Sequence, residues 1–202
     1  MGKEIYDTFR QDTLASAISS GDVGGGVCLG TCIEYIKYLN KAGTSDSIVK
    51  SFSAGSGSGL TKSLLETGDK GIATHTSVSG DRLDLWGQKR PLEEMGFTDS
   101  VGKDTGAVKD TVVSEIKASG RFAFHILYFD VYKDVTSKAG WHVVALKGNG
   151  WTGVSFDRIF YAMDPNQGIW KITSTASLGD WLWSDIKARY NPFNMYVYTI
   201  TK

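Results

Sequence analysis

The chain has 202 residues and a formal net charge of zero at pH 7, with 22 Lys plus Arg against 22 Asp plus Glu. That length allows one compact domain with a sizeable core, or two small lobes. The charge balance removes any electrostatic case for nucleic acid or an anionic lipid surface as the main partner. There is no run of about 18 apolar residues, which a membrane-crossing helix would need. The opening Met1-Gly2-Lys3-Glu4-Ile5-Tyr6-Asp7 lacks the apolar core of a cleaved signal peptide. The expectation is therefore synthesis in a reducing cytoplasm, with any export by a route that cleaves no signal.

Ile5, Phe9, Leu14, Ala17 and Ile18 recur near helical spacing and predict a first amphipathic helix. Ser19 to Gly26 reads as a glycine-rich loop. From Cys28 to about Asn40, Ile33, Ile36 and Leu39 with Tyr35 and Tyr38 predict a largely apolar helix, which belongs in the middle of a domain. Ala42 to Gly59 is rich in Ser and Gly and reads as a surface connection. Short helical patterns follow at Leu60 to Glu66 and Pro91 to Met95, and a better one at Thr105 to Ala118 that stops near Gly120.

The second half changes character. Arg121 to Val131, Gly140 to Lys147, Arg158 to Met163 and Gly168 to Thr173 are aromatic and β-branched runs separated by Gly, Asn, Asp and Pro, and they predict strands. Leu178 to Tyr190 predicts a helix and Met195 to Ile200 a terminal strand. Helices first and then an antiparallel sheet make an α+β pattern, a single domain with a helical part to about residue 120 and a sheet part from about residue 121.

Chemistry concentrates at Gly24-Gly25-Gly26-Val27-Cys28-Leu29-Gly30-Thr31-Cys32. The thiol of Cys28 lies where a glycine run meets a helical pattern. A helix N-terminus offers free N–H groups and about half a positive charge, and both favour a thiolate and an oxyanion beside it. Cys28 and Cys32 are four apart on one helix face, which suits a disulfide poorly. The Gly25 to Gly30 spacing fits a phosphate loop, but Thr31 follows where that loop needs lysine. No zinc-ligand spacing unites the cysteines with the histidines. No metal and no cofactor are expected.

A thiol nucleophile needs a base. His142 opens the apolar run Val143-Val144-Ala145-Leu146, where a strand would hold its ring rigidly. His125, inside the apolar run Phe122 to Phe129, reads as a satisfied core histidine, and His75, among Thr74, Thr76 and Ser77, as a solvated one. The base in turn needs an acceptor for its other ring nitrogen. Asp164, in Met163-Asp164-Pro165-Asn166-Gln167-Gly168, sits where a strand turns into a hairpin. Alone that motif reads as turn chemistry; with Cys28 and His142 it reads as the third member of a site. Trp141, beside the base, is either core or the wall of a substrate groove.

Gly-Gly-Val-Cys-Leu-Gly-Thr-Cys, then Trp-His-Val-Val-Ala, then Asp-Pro-Asn-Gln-Gly resembles the YopT/AvrPphB-type bacterial effector cysteine proteases. The three motifs run from Gly24 to Gly168. The resemblance implies a papain-like fold, with a central Cys-bearing helix packed on a C-terminal antiparallel sheet. It implies Cys28 as nucleophile, His142 as base and Asp164 as its orienter. Papain-like oxyanion holes pair the cysteine N–H with an amide side chain a few residues earlier; here the loop offers Asp22 instead. The implied function is a secreted effector or toxin, a monomer without cofactor, that cleaves a protein in a target cell. A secretion chaperone or an immunity protein would be a further partner. The same triad also serves glutamine deamidation and cell-wall amide hydrolysis, and an idle papain-like binding module is the reading of another class.

Overall fold

A computed structural model describes residues 2–7, 28–54, 98–99, 103–119, 123–132, 138–152, 155–192 and 194–201. Among them eight strands form one sheet: β1 (Lys3–Asp7), β2 (Thr98–Asp99), β3 (Lys103–Asp104), β4 (Phe124–Tyr132), β5 (Lys138–Thr152), β6 (Ser155–Asp164), β7 (Gly168–Ile172) and β8 (Met195–Thr201). Their order is β1-β7-β6-β5-β4-β8-β2, with β3 also on β8, and every pairing is antiparallel. The helices are α1 (Cys28–Ala42), α2 (Asp46–Ala54), α3 (Lys109–Ala118) and α4 (Thr175–Trp181). The last continues through a π-helical stretch (Leu182–Lys187) into a final turn, α5 (Ala188–Tyr190). The architecture is the expected α+β one.

Strand alternation divides the core into two layers. On one face Ile126, Tyr128, Val143, Ala145, Tyr161 and Met163 meet Cys28, Leu29, Cys32, Ile33, Tyr35 and Ile36 of α1. On the other, Leu127, Phe129, Val144, Leu146, Phe160 and Ala162 meet Val112 and Ile116 of α3 and Leu178, Trp181, Leu182 and Ile186 of the late helix. The sheet is thus covered by helices on both sides, which is why its central strands carry near-continuous apolar runs.

Helix α1 matches its sequence pattern closely. Gly43 ends it in the left-handed region, φ 94°, with its N–H on the Leu39 carbonyl at 2.9 Å. Such a cap suits glycine, which has no Cβ penalty there. Two expectations fail. Residues 3–7 are an edge strand, not the start of a helix. Sheet hydrogen bonds to β7, extended by Thr173 N–H to the Gly2 carbonyl at 2.7 Å, satisfy this backbone, and Ile5 stays 44% exposed. Tertiary pairing overrides a five-residue periodicity read over too wide a spacing. Phe9, Leu14, Ala17 and Ile18 lie outside the described residues.

The stretch after Ala42 is likewise not a plain connection. Asp46–Ala54 is a helix that buries Val49 and Phe52, with the Phe52 ring 5.1 Å from Tyr35 and 5.3 Å from Tyr38. The Ser-rich composition hid an apolar face that includes Ile48, Val49 and Phe52. Asp46 receives Lys171 Nζ at 2.6 Å and the Tyr161 hydroxyl, tying α2 to the sheet. Its carboxyl resists desolvation and is held down at about 2 by these donors.

The predicted helix at Thr105 starts later, at Lys109, because Thr105 is bound to β8: its N–H and hydroxyl both reach the Met195 carbonyl, at 2.9 and 2.7 Å. The stretches at 60–66 and 91–95, and the loop at 19–26, lie outside the described residues.

Candidate active site

Cys28 is the first residue of α1 and is fully buried. One turn on, the Cys32 thiol donates to the Val143 carbonyl at 3.5 Å and so docks the helix on β5. Burial raises the Cys32 pKa well above the usual thiol value, and the neighbouring Cys28 and Asp164 add to that. Both thiols are free.

His142 and Asp164 share the opposite face of the sheet. His142 pairs with Phe129 of β4, and its parity with Val144 and Leu146 places it on the α3/α4 side. Asp164 ends β6 in step with Phe160 and Ala162 on that same side. Because Ala145 pairs with Met163, the two side chains are diagonal neighbours on adjacent strands, within reach of each other. His142 Nε2 lies 2.9 Å from Asp164 Oδ1, with the two residues 3% and 0% exposed. That leaves Nδ1 as the ring nitrogen free to serve the Cys28 thiol. The three residues come from two layers, the thiol from the α1 side of the sheet and the imidazole and carboxylate from the α3/α4 side.

The turn after β6 is built around the carboxylate. The Asn166 N–H donates to Asp164 Oδ1 at 2.9 Å and Gln167 Nε2 to Oδ2 at 2.8 Å. Gln167 N–H closes the turn on the Asp164 carbonyl at 3.0 Å. Gly168 then restarts the strand at φ 124°, which a side chain would strain. From the end of the late helix, the Tyr190 hydroxyl lies 3.0 Å from each Asp164 oxygen and accepts from Asn166 Nδ2 at 3.0 Å. The Tyr190 ring stacks on the His142 ring, centroids 4.5 Å apart and planes 24° apart, while Phe129 meets that ring edge-on at 5.7 Å.

Burial by itself would push His142 down. Hydrogen bonding and charge from Asp164 and Cys28 outweigh it and raise the pKa to about 9. Burial would push Asp164 up, and His142, Asn166 N–H and Tyr190 together hold it below the usual carboxylate value. A buried ion pair of this kind survives because the carboxylate's lone pairs are filled.

His125 is the satisfied core histidine expected of it. Nε2 bonds Ser119 Oγ at 3.2 Å and Nδ1 bonds Thr199 Oγ1 at 3.4 Å. Trp141 is half-buried on the α1 side of the sheet, its ring 6.0 Å from Tyr128, which in turn meets Tyr196 at 5.9 Å. Asp22 and His75 lie outside the described residues. Sequence reasoning missed Tyr190 and Gln167. Gln167 stood inside the Asp-Pro-Asn-Gln-Gly motif, whereas nothing near Tyr190 in the chain connects it to Asp164.

No protein-family profile and no curated protein matches this sequence. Among solved structures, the crystal structure of the Pseudomonas avirulence protein AvrPphB superposes with a TM-score of 0.61 at 14% identity, covering 93% of this chain and 99% of that one. At that identity the likeness concerns the fold: this chain has the papain-like α+β architecture, similar to that of AvrPphB.

Proposed function

We propose that the protein is a papain-like thiol hydrolase, a cysteine protease that cleaves a protein through an acyl-enzyme. The observation that carries this reading is the buried imidazole of His142, bound through Nε2 to Asp164 and influenced by the Cys28 thiol. In this reading Cys28 gives its proton to His142 and the sulfur attacks the scissile carbonyl carbon. The oxyanion is met by the Cys28 N–H and the positive end of α1. The imidazolium then protonates the departing amine, leaving a thioester. His142 next takes a proton from water, which attacks the thioester, releases the acid and restores the thiol. Asp164 fixes the ring and stabilises the imidazolium. Trp141 would wall the substrate groove.

We further propose that the protein is delivered by a secretion route that cleaves no signal and acts inside a target cell, a reading prompted by the avirulence role named for the Pseudomonas neighbour. Cys28→Ala is the first test. Activity or toxicity in a target cell should vanish while the melting curve holds; survival of activity would end the enzyme reading. Intact-mass measurement of candidate targets separates the outcomes: fragments mean proteolysis, while a whole chain with an amide exchanged for an acid means deamidation. Iodoacetamide should label Cys28 ahead of Cys32, whose buried thiol donates to Val143.

A further inference from the structure

We infer that Tyr190 is a positioning residue of this site, holding the Asp164 carboxylate by its hydroxyl and the His142 ring by its face. The inference rests on the thiol-hydrolase reading for its catalytic meaning, but its geometry stands alone. One phenol proton is shared by both carboxylate oxygens, at 3.0 Å each, and the same ring lies 4.5 Å from the imidazole in a stacked arrangement. No other side chain among the described residues is shown touching both members of the pair in these two ways.

The backbone is adapted to the same end. The helix that delivers Tyr190 passes through a π-helical stretch over Leu182–Lys187. A π-helical turn adds a residue to the ring of each hydrogen bond and rotates everything downstream. Leu182 and Ile186 remain buried against the sheet while Tyr190 is turned toward β5 and β6. The chain is then stopped at once. Asn191 adopts the left-handed conformation, φ 44°, with its N–H on the Lys187 carbonyl at 2.9 Å. A regular helix of the same sequence would carry residue 190 to a different azimuth.

Asp164 from β6, Cys28 from α1 and Phe129 from β4 meet the imidazole, and Asp164, Asn166 and the charge of Arg189 act on the phenol. Among the described residues, Gln167 Nε2 and the charge coupling of Cys32 also act on Asp164. Burial and the charge of Asp164 hold the phenol protonated far above neutral pH, so it remains a donor throughout the working range. Its O–H dipole offsets part of the carboxylate's field at His142. Removing the hydroxyl has two consequences: the imidazolium becomes easier to keep, and the pair loses an orienting contact.

The test uses the intact protein and two readouts. The first is the pH dependence of Cys28 alkylation by iodoacetamide, located by mass spectrometry. The second is the NMR titration of the His142 ring, assigned by its loss in His142→Asn. In Tyr190→Phe the ring stays and the hydroxyl goes. The maximal alkylation rate should fall about tenfold, and the His142 midpoint should move to higher pH by about half a pH unit. Replacing Tyr190 by 3-fluorotyrosine keeps the shape and strengthens the donor, so that midpoint should move the other way even if Tyr190→Phe folds poorly. Tyr190→Leu, which removes the stacking too, should lose more rate than Tyr190→Phe. Identical His142 midpoints in wild type, Tyr190→Phe and the fluorinated protein would overturn the proposal. If wild-type Cys28 is alkylated no faster than Cys32, the hydrolase reading fails instead, and the NMR titration still decides the role of Tyr190.

Discussion

His125 and His142 occupy neighbouring strands, face the same side of one sheet and are almost equally buried, at 1% and 3% exposure. Their chemistry is opposite. Burial drives His125 down to about 3, helped by the charges of Lys147 and Arg158. The same burial acts on His142, yet its pKa lies near 9, because an anion meets its ring. His125 has two hydroxyl partners, Ser119 and Thr199, which satisfy its nitrogens without favouring a charge. A buried histidine is thus packing or chemistry according to whether its partner is a hydroxyl or a carboxylate.

The most direct way to break the contrast is Asp164→Asn. The amide keeps the shape but removes the charge, so burial acts on His142 with only Cys28 left to oppose it. Its pKa should fall from about 9 toward the usual histidine value. Turnover should drop by about 100-fold to 10,000-fold, the upper figure being the cost of the wrong tautomer in a serine triad. The smaller loss is expected here, since a thiolate–imidazolium pair depends less on its third member. Circular dichroism and a melting curve check the fold, and histidine NMR checks the pKa. A folded Asp164→Asn protein with full activity would leave Cys28 and His142 as a dyad and Asp164 as turn chemistry.

The two histidines should also set the pH of greatest stability. His142 is raised in the folded state, so its contribution is complete below 6.5 and is lost as pH climbs toward 9. His125 is lowered, so its contribution is complete above 6.5 and is lost as pH falls toward 3. Stability should therefore peak near pH 6.5. Between 6.5 and 8 the unfolding free energy should decline by up to about 1.4 kcal/mol per pH unit. Above 8 the buried Lys147, lowered to about 8, begins to act in the opposite sense, since the folded amine is then neutral while the unfolded one keeps its proton up to 10.5, so stability rises with pH. Urea melts across pH would show the peak, and Asp164→Asn should flatten its alkaline side. A maximum at pH 8 or above would contradict the assignment of His142.

Much of this was legible in the chain, and the gaps have physical causes. Cys28, His142 and Asp164 announce themselves because each lies at an element boundary marked by local composition: a glycine run, an apolar strand start, an Asp-Pro-Asn-Gln-Gly turn. The central strands were readable for the same reason, being continuous apolar runs between breakers. The edge strand at 3–7 was not, since its backbone is held by β7 and its side chains carry little burial signal. Helix α2 was obscured because its buried anchors, Val49 and Phe52, stand among serines and charged residues that carry no apolar signal. Tyr190 was beyond reach altogether: its meeting with Asp164, 26 residues away, depends on a π-helical stretch that no local pattern marks.

The smallest expected effect sharpens the contrast from the other side. His125→Gln removes a titrating group that never touches the Cys28–His142–Asp164 cluster. An amide can restore one of the two hydroxyl contacts but not both, leaving a buried polar atom short of a partner. The loss of stability at pH 7 should be about 1–3 kcal/mol. Activity per folded molecule should be unchanged, because the pairs around His142 share no partner with Ser119 or Thr199. The informative quantity is the slope. In wild type, unfolding below pH 6.5 is driven by protonation of the exposed imidazole of residue 125 in the unfolded chain. With glutamine there, urea melts between pH 6 and pH 4 should lose that slope, leaving the decline to the carboxylates. An unaltered acid slope in a folded His125→Gln protein would mean that His125 is already protonated in the native state. The contrast between the two histidines would then collapse.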